Sequence, residues 1–213
     1  QKMIYDEALV SAQQKLSDPI HKKKAHILTL ILRLRQIACH PALALEMSGK
    51  TYSSGKLNSV FNSALEILSE GHSILIFSQF TGHLELVRNA FKKAGILSFY
   101  LDGKVKNRKR VIESFKTYGS PSVFLISLKT GGTGLNLTEA SYVFLLDPWW
   151  NPSVENQAID RCYRIGQEKP VFVYRFITKG SIEEKVCELK EIKKEMGNTV
   201  ISESDVDYVP VNQ

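Results

Sequence analysis

Apolar positions follow two different rhythms along this chain. Up to about residue 47 they recur only at helical spacing, with Ile27, Leu30, Ile31, Leu34 and Ile37 on one face and Pro41 ending the run. A linker follows by composition, Ser48-Gly49-Lys50-Thr51-Tyr52-Ser53-Ser54-Gly55. Beyond it, short apolar runs alternate with helical stretches. The spacing predicts helices over 57–69, 84–94 and 105–118, and strands over 74–77, 98–101, 123–126, 142–146 and 171–177. Ser181 and Glu184 form a capping box for a helix whose apolar face is Ile182, Val186, Leu189, Ile192 and Met196. Such alternation predicts an α/β fold, a parallel sheet with helices on both faces, preceded by an all-helical segment. The expected divisions are 1–54 for the helical segment and linker, 55–180 for the sheet domain, and 181–213 for a C-terminal helix and an acidic tail bearing Glu203, Asp205 and Asp207. The pattern begins in mid-helix, which reads as a piece of a longer protein.

A further helix is expected after the strand at 142–146. Asn151-Pro152 supplies a cap and a first helical residue. At about 100° per residue, Val154, Ala158, Cys162 and Ile165 form one apolar stripe, and Gln157, Asp160, Arg161 and Arg164 a separate face. Gly166 stops the helix. Two arginines one turn apart present a fork of charge suited to phosphate. For two arginines alone, a solvated basic face is the simpler reading.

Composition narrows the field. Hydrophobic residues make up 43% of the 213, enough for a full core, and the net charge of +6 points to an acidic partner, nucleic acid first. Cys39, Cys162 and Cys187 have no paired spacing, which excludes a disulfide framework and the usual zinc sites, and no metal site is expected. No run spans a bilayer and no signal peptide opens the chain, so an intracellular protein is expected. Gly49-Lys50-Thr51 resembles the end of a P-loop, but its first glycine would fall at Ala44 and no strand precedes it. Cys39-His40 lacks a partner pair for a metal and reads as a helix-end cap.

In a doubly wound sheet, ligands bind beyond the carboxyl ends of the strands. Those ends here are Ser78-Gln79, Asp102-Gly103, Ser127 to Asn136, and Asp147-Pro148-Trp149-Trp150. Lys129-Thr130-Gly131-Gly132-Thr133-Gly134 combines donors with glycines that let backbone amides approach an anion, although a plain tight turn explains the glycines equally well. Two adjacent tryptophans do not easily both face inward. Trp149 is expected in the core, and Trp150 as a surface for nucleic acid. Lys104, Lys106, Arg108, Lys109 and Arg110 crowd one helix start, either as a solvated face or as a path for a phosphate backbone.

Taken in order, Ile74 to Thr81, Leu101-Asp102-Gly103, Gly131 to Leu137, Asp147 to Pro152 and Gln157 to Gln167 resemble the later helicase motifs of the second RecA-like lobe of a Swi/Snf-type DNA-dependent ATPase of superfamily two. Arg35 to Pro41 resembles the helical protrusion before that lobe. The wording is more like bacterial than eukaryotic members, implying a cytoplasmic protein if bacterial and a nuclear one if eukaryotic. The resemblance implies an ATP-driven translocase on double-stranded DNA that remodels protein–DNA complexes. ATP with Mg²⁺ would lie between two lobes, the first, in the same full-length chain, supplying the P-loop and the Mg²⁺ ligands. Arg161 and Arg164 would be arginine fingers. Gln157, Asp160, Gly132 and Gly134 would serve the nucleotide, and Ser78, Gln79, Asp102, Gly103, Arg108, Lys129, Thr130, Gly131, Trp150 and Asn151 the DNA. The segment alone is expected to be inactive. Lys104 stands where the family usually has serine, and Tyr163 where it often has histidine. The competing readings are an RNA helicase lobe, which usually lacks the Pro-Trp-Trp-Asn-Pro segment, and a non-catalytic nucleic-acid-binding module. A methyltransferase needs its glycine loop after the first strand, whereas here it follows the third.

Overall fold

The computed structural model describes residues 1–14, 20–45, 52–131, 136–160 and 170–204. Among these, five strands form one sheet: β1 (Ile74–Ser78), β2 (Ser98–Leu101), β3 (Val123–Ser127), β4 (Tyr142–Leu145) and β5 (Phe172–Arg175). All neighbours pair in parallel, in the order β2-β3-β1-β4-β5. Every residue of β1 and β3 is buried, which is why they read in sequence as unbroken apolar runs rather than alternation.

The pleat sends alternate side chains into two cores. Ile74, Ile76, Val123, Leu125 and Phe144 meet α3 (Gly55–Ser69) and α4 (Thr81–Lys93) through Val60, Ala64, Ile67, Leu84, Val87 and Phe91. Leu75, Phe77, Phe124, Ile126, Val143 and Leu145 meet Phe115 of α5 (Arg108–Thr117) and Ala158 of α7 (Pro152–Ile159) on the other side. The connection leaving β1 through α4 therefore runs on one face, and the one leaving β4 through α7 on the opposite face. Right-handed crossovers require this when the direction of travel reverses. The reversal opens a crevice at the carboxyl ends of β1 and β4.

Local chemistry sets the element ends. Ser54 caps α3, its hydroxyl accepting from Leu57 N at 3.3 Å. Gly71 (φ 87°) and Gly95 (φ 73°) close α3 and α4. Both make the paired Schellman bonds, with His72 N on Ile67 O and Gly71 N on Leu68 O in the first case. α5 starts at Arg108, later than expected, because Asn107 caps it by accepting from Arg110 N at 3.1 Å. The expected capping box forms with a shift: Ser181 Oγ accepts from Glu183 N, while Glu184 Oε2 accepts from Gly180 N.

The helices α1 (Lys2–Gln14) and α2 (Ile20–Cys39) precede the sheet, and α8 (Ile182–Ser204) follows it. A helix ends with carbonyls that lack an intrahelical donor. In α2 these are capped by distant side chains: Gln1 Nε2 donates to Ile37 O and Ala38 O, Thr178 Oγ1 to Ala38 O, and Ser54 Oγ to Cys39 O. Backbone Ile182 N of α8 donates to Tyr5 Oη of α1 at 2.7 Å. No helix among the described residues is long and apolar enough to cross a membrane.

One ion pair ties these pieces together. Lys56 Nζ lies 2.6 Å from Glu183 Oε2, with both side chains buried, and also donates to Leu146 O at 2.8 Å. Glu183 further accepts from Thr178 N at 2.8 Å and from the Cys39 thiol at 3.6 Å. Breaking one side of such a pair leaves an uncompensated buried charge. Lys56→Met is expected to cost about 3–5 kcal/mol. Adding Glu183→Gln, which removes that charge but keeps an acceptor, is expected to recover a clear part of the loss. Urea denaturation of the single and double variants checks both values, and equal losses would rule out charge as the cause.

Candidate nucleic-acid interface at the sheet edge

Asp147, just past β4, organises the crevice. It is 1% exposed. The Ser78 hydroxyl at the end of β1 donates to its Oδ1, and Gln79 donates to Oδ2 through Nε2 at 2.6 Å and backbone N at 3.3 Å. Burial pushes the Asp147 carboxyl above its usual range, against hydrogen bonds from Ser78 and Gln79 and the charge of Lys56, which pull it down. The clasp therefore ties the end of β1 to the end of β4.

The next residues turn outward. Arg35 of α2, only 4% exposed, donates through Nη2 to Pro148 O at 2.6 Å. Its guanidinium carbon stands 5.6 Å from the Trp150 ring centroid and 5.8 Å from that of Phe80. Trp149 packs against the core that contains Phe77, whereas Trp150 is 38% exposed, as the sequence leads one to expect. Asn151 caps α7, accepting from Ser153 N at 3.0 Å. On α7, Glu155 and Ala158 are buried while Gln157 and Asp160 are exposed. Ala158 thus fits the expected apolar stripe, and Gln157 and Asp160 the other face; α7 ends at Ile159 with Asp160 as its C-cap, and the rest of the expected helix lies outside the described residues. Arg161, Arg164, Gly132 and Gly134 lie outside the described residues.

The residues expected to serve the DNA differ in their exposure. Ser78, Asp102 and Thr130 are buried. Ser78 spends its hydroxyl on Asp147. Asp102 holds its own turn, accepting from Lys104 N at 2.9 Å and Tyr100 Oη at 3.2 Å. Lys129, Thr130 and Gly131 belong to a helical turn, α6 (Leu128–Gly131), rather than to an open loop directly after β3. Of the first two, only the Lys129 side chain is exposed. Gly103 is exposed, Gln79 and Arg108 are half-buried, and Arg108 is the first residue of α5.

Sequence reasoning passed over a polar cluster beneath the clasp. Ligand atoms of Cys39, His83 and Asp147 all lie within 4.8 Å of one another. Lys56, beside Glu183, already supplies positive charge there, and burial pushes the Cys39 thiol well up, keeping it protonated. His83 is fully buried, and among the described residues neither ring nitrogen has a hydrogen-bond partner. Burial, then the charge of Lys56, pulls its imidazole down to about 3. His40, by contrast, is a cap, as expected: its Nδ1 accepts from Ala42 N at 3.1 Å and starts the 3₁₀ turn Pro41–Leu43.

The carboxyl edge of this parallel five-stranded sheet thus carries an aspartate clasp and an exposed tryptophan. Residues 59–166 match the helicase conserved C-terminal domain family, and the chain belongs to it. It is similar to the Sulfolobus solfataricus SWI2/SNF2 ATPase C-terminal domain, at 32% identity and TM-score 0.74 over 91% of this chain and 80% of that one. The SWI2/SNF2 ATPase core from the same organism, in complex with dsDNA, is 34% identical with TM-score 0.78, over 95% of this chain and 43% of that one. An uncharacterized ATP-dependent helicase of Mycoplasma pneumoniae is 38% identical over 207 residues, 96% of this chain. The chain spans 20% of that relative's length. These similarities make the chain a C-terminal lobe of Swi2/Snf2 type.

His83 generates a pH prediction. Its folded value lies below its unfolded value, so the unfolded chain binds the extra proton between about pH 6.5 and about 3. Stability from this residue is complete above pH 6.5 and is lost as pH falls through that window, by on the order of 1 kcal/mol per unit. The raised value of Asp147 acts in the opposite sense. His83→Met is expected to flatten the loss between pH 7 and pH 5, read as the difference in urea midpoints between the two chains. Parallel curves would show that His83 does not titrate in this way.

Proposed function

We propose that this chain is the second motor lobe of an ATP-driven translocase on double-stranded DNA that remodels protein–DNA complexes. The observation that carries the reading is at the sheet edge: α7 leaves the carboxyl end of β4 with Gln157 and Asp160 on its exposed face, directly after the exposed ring of Trp150. On this reading, the segment that follows Asp160 and carries Arg161 and Arg164 serves a nucleotide bound between two lobes. The dsDNA complex of the Sulfolobus core, 34% identical, supports the same reading.

Arg161 and Arg164 act as arginine fingers, neutralising charge on the γ-phosphate as it leaves, and Gln157 orients their helix or the nucleotide. ATP with Mg²⁺ supplies the reaction's driving force, with the P-loop and metal ligands in the first lobe, so this lobe alone turns nothing over. Gly132 and Gly134 let their loop respond to both nucleotide and DNA. Gln79, Gly103, Arg108, Lys129 and Trp150 meet the duplex. Ser78, Asp102 and Thr130 act from within, by fixing the backbone around those contacts.

In the full-length enzyme, Arg161→Ala or Arg164→Ala is expected to leave ATP binding largely intact and to lower turnover by on the order of 10³ to 10⁵. Near-normal rates in both variants would return the arginines to a solvated face. Trp150→Ala is expected to lose about 1–3 kcal/mol of grip on DNA, with most of the DNA-stimulated rate. With 38% of the residue exposed, its melting temperature should barely move. A large drop in melting temperature would make Trp150 a packing residue instead. A full-length chain without a P-loop would favour the non-catalytic binding module.

A further inference from the structure

Glu155 occupies the first turn of α7, where a negative charge complements the helix dipole. Its carboxylate does not face solvent there; the residue is 3% exposed. Oε1 instead reaches back outside the helix and accepts from Trp149 N at 2.7 Å. The same oxygen accepts from Lys190 Nζ of α8 at 2.6 Å, and Arg175 Nε of β5 lies 3.6 Å from Oε2. Lys190 is itself withdrawn from water, its side chain 12% exposed, while Lys185 and Glu188 on the same helix form an open surface pair.

Withdrawing a lysine and a glutamate from water gives little net stability, and a hydrophobic pair of the same volume often does as well. What the arrangement supplies is geometry. The carboxylate holds the amide of the residue immediately before Trp150, and Arg35 lies 5.6 Å from the Trp150 ring centroid. Glu155 and Lys190 both lie away from the exposed face that carries Gln157 and Asp160.

We infer that Glu155, held in place by Lys190, is a positioning residue that sets the Trp149–Trp150 turn for its grip on DNA. This rests on the DNA-tracking function proposed above. Lys190→Met, Lys190→Arg and Trp150→Ala in the full-length protein test it by three readouts: ATPase rate against DNA concentration, melting temperature, and hydrogen exchange of the peptide containing the Trp149 amide.

The expected result for Lys190→Met is a rise of roughly tenfold in the DNA concentration for half-maximal stimulation, with the basal rate unchanged and a lowered melting temperature, because the buried Glu155 carboxylate keeps only Arg175 as a charged neighbour. Exchange at the Trp149 amide should quicken. Lys190→Arg should restore most of both properties, and adding Lys190→Met to Trp150→Ala should bring no further loss. Unchanged exchange at Trp149, losses that multiply in the double variant, or basal and stimulated rates falling together would each overturn the inference. If the unaltered protein shows no stimulation by DNA, the proposed function fails, and the exchange measurement still decides whether Lys190 positions the turn. Should Lys190→Met fail to fold, Glu155→Gln, which keeps an acceptor for Trp149 but loses the charge, carries the same measurements.

Discussion

The buried pairing of Lys56 with Glu183 is the constraint around which the lobe is assembled. Lys56 is the second residue of α3, Glu183 the second of α8, and the carbonyl that shares the ammonium belongs to Leu146, just past β4. A single charged contact therefore registers the first helix of the sheet domain, its central strands and its last helix. An ion pair with side chains this buried tolerates little displacement, because neither charge has water to fall back on. Asp147 is the next residue after Leu146, so the clasp across β1 and β4 inherits its position from this pair.

Much of the fold was legible because buried parallel strands announce themselves. The runs at 74–77, 98–101 and 123–126 fall within a residue of β1, β2 and β3, and the Asn151-Pro152 signal marked the start of α7. What stayed hidden was direction. A residue at the end of a strand buried on both faces gives no alternation from which to judge where its side chain goes, so Ser78 read as a surface donor although it is interior; Thr130 did so because its glycine-rich surroundings read as an open loop and not as the helical turn it occupies. Trp149 and Trp150 were separable only because two adjacent rings cannot share one interior site.

The charged interior was illegible for a different reason. Lys56 lies beside a linker and looks like any solvated lysine, while its partner stands 127 positions away. Arg35 and Pro148 are separated by 113. Local patterns hold no trace of such pairs. Glu183 was further masked by Glu184, its neighbour, which fits the capping box and drew the attention that pattern invites. Resemblance pointed to the outer residues of the edge and left their supports unseen.

The capping of α2 by Gln1, Ser54 and Thr178 has a consequence for how such a lobe can change over time. A helix whose end is fixed from three directions, and whose Arg35 must meet Pro148, has a defined length as well as a defined sequence. Insertion of one residue between Ile27 and Arg35 would turn everything before it by about 100° relative to the fixed end. The exposed positions Leu28 and Leu32 remain open to substitution, since among the described residues no such contact depends on them. Drift in this helix is thus free in spelling and frozen in count.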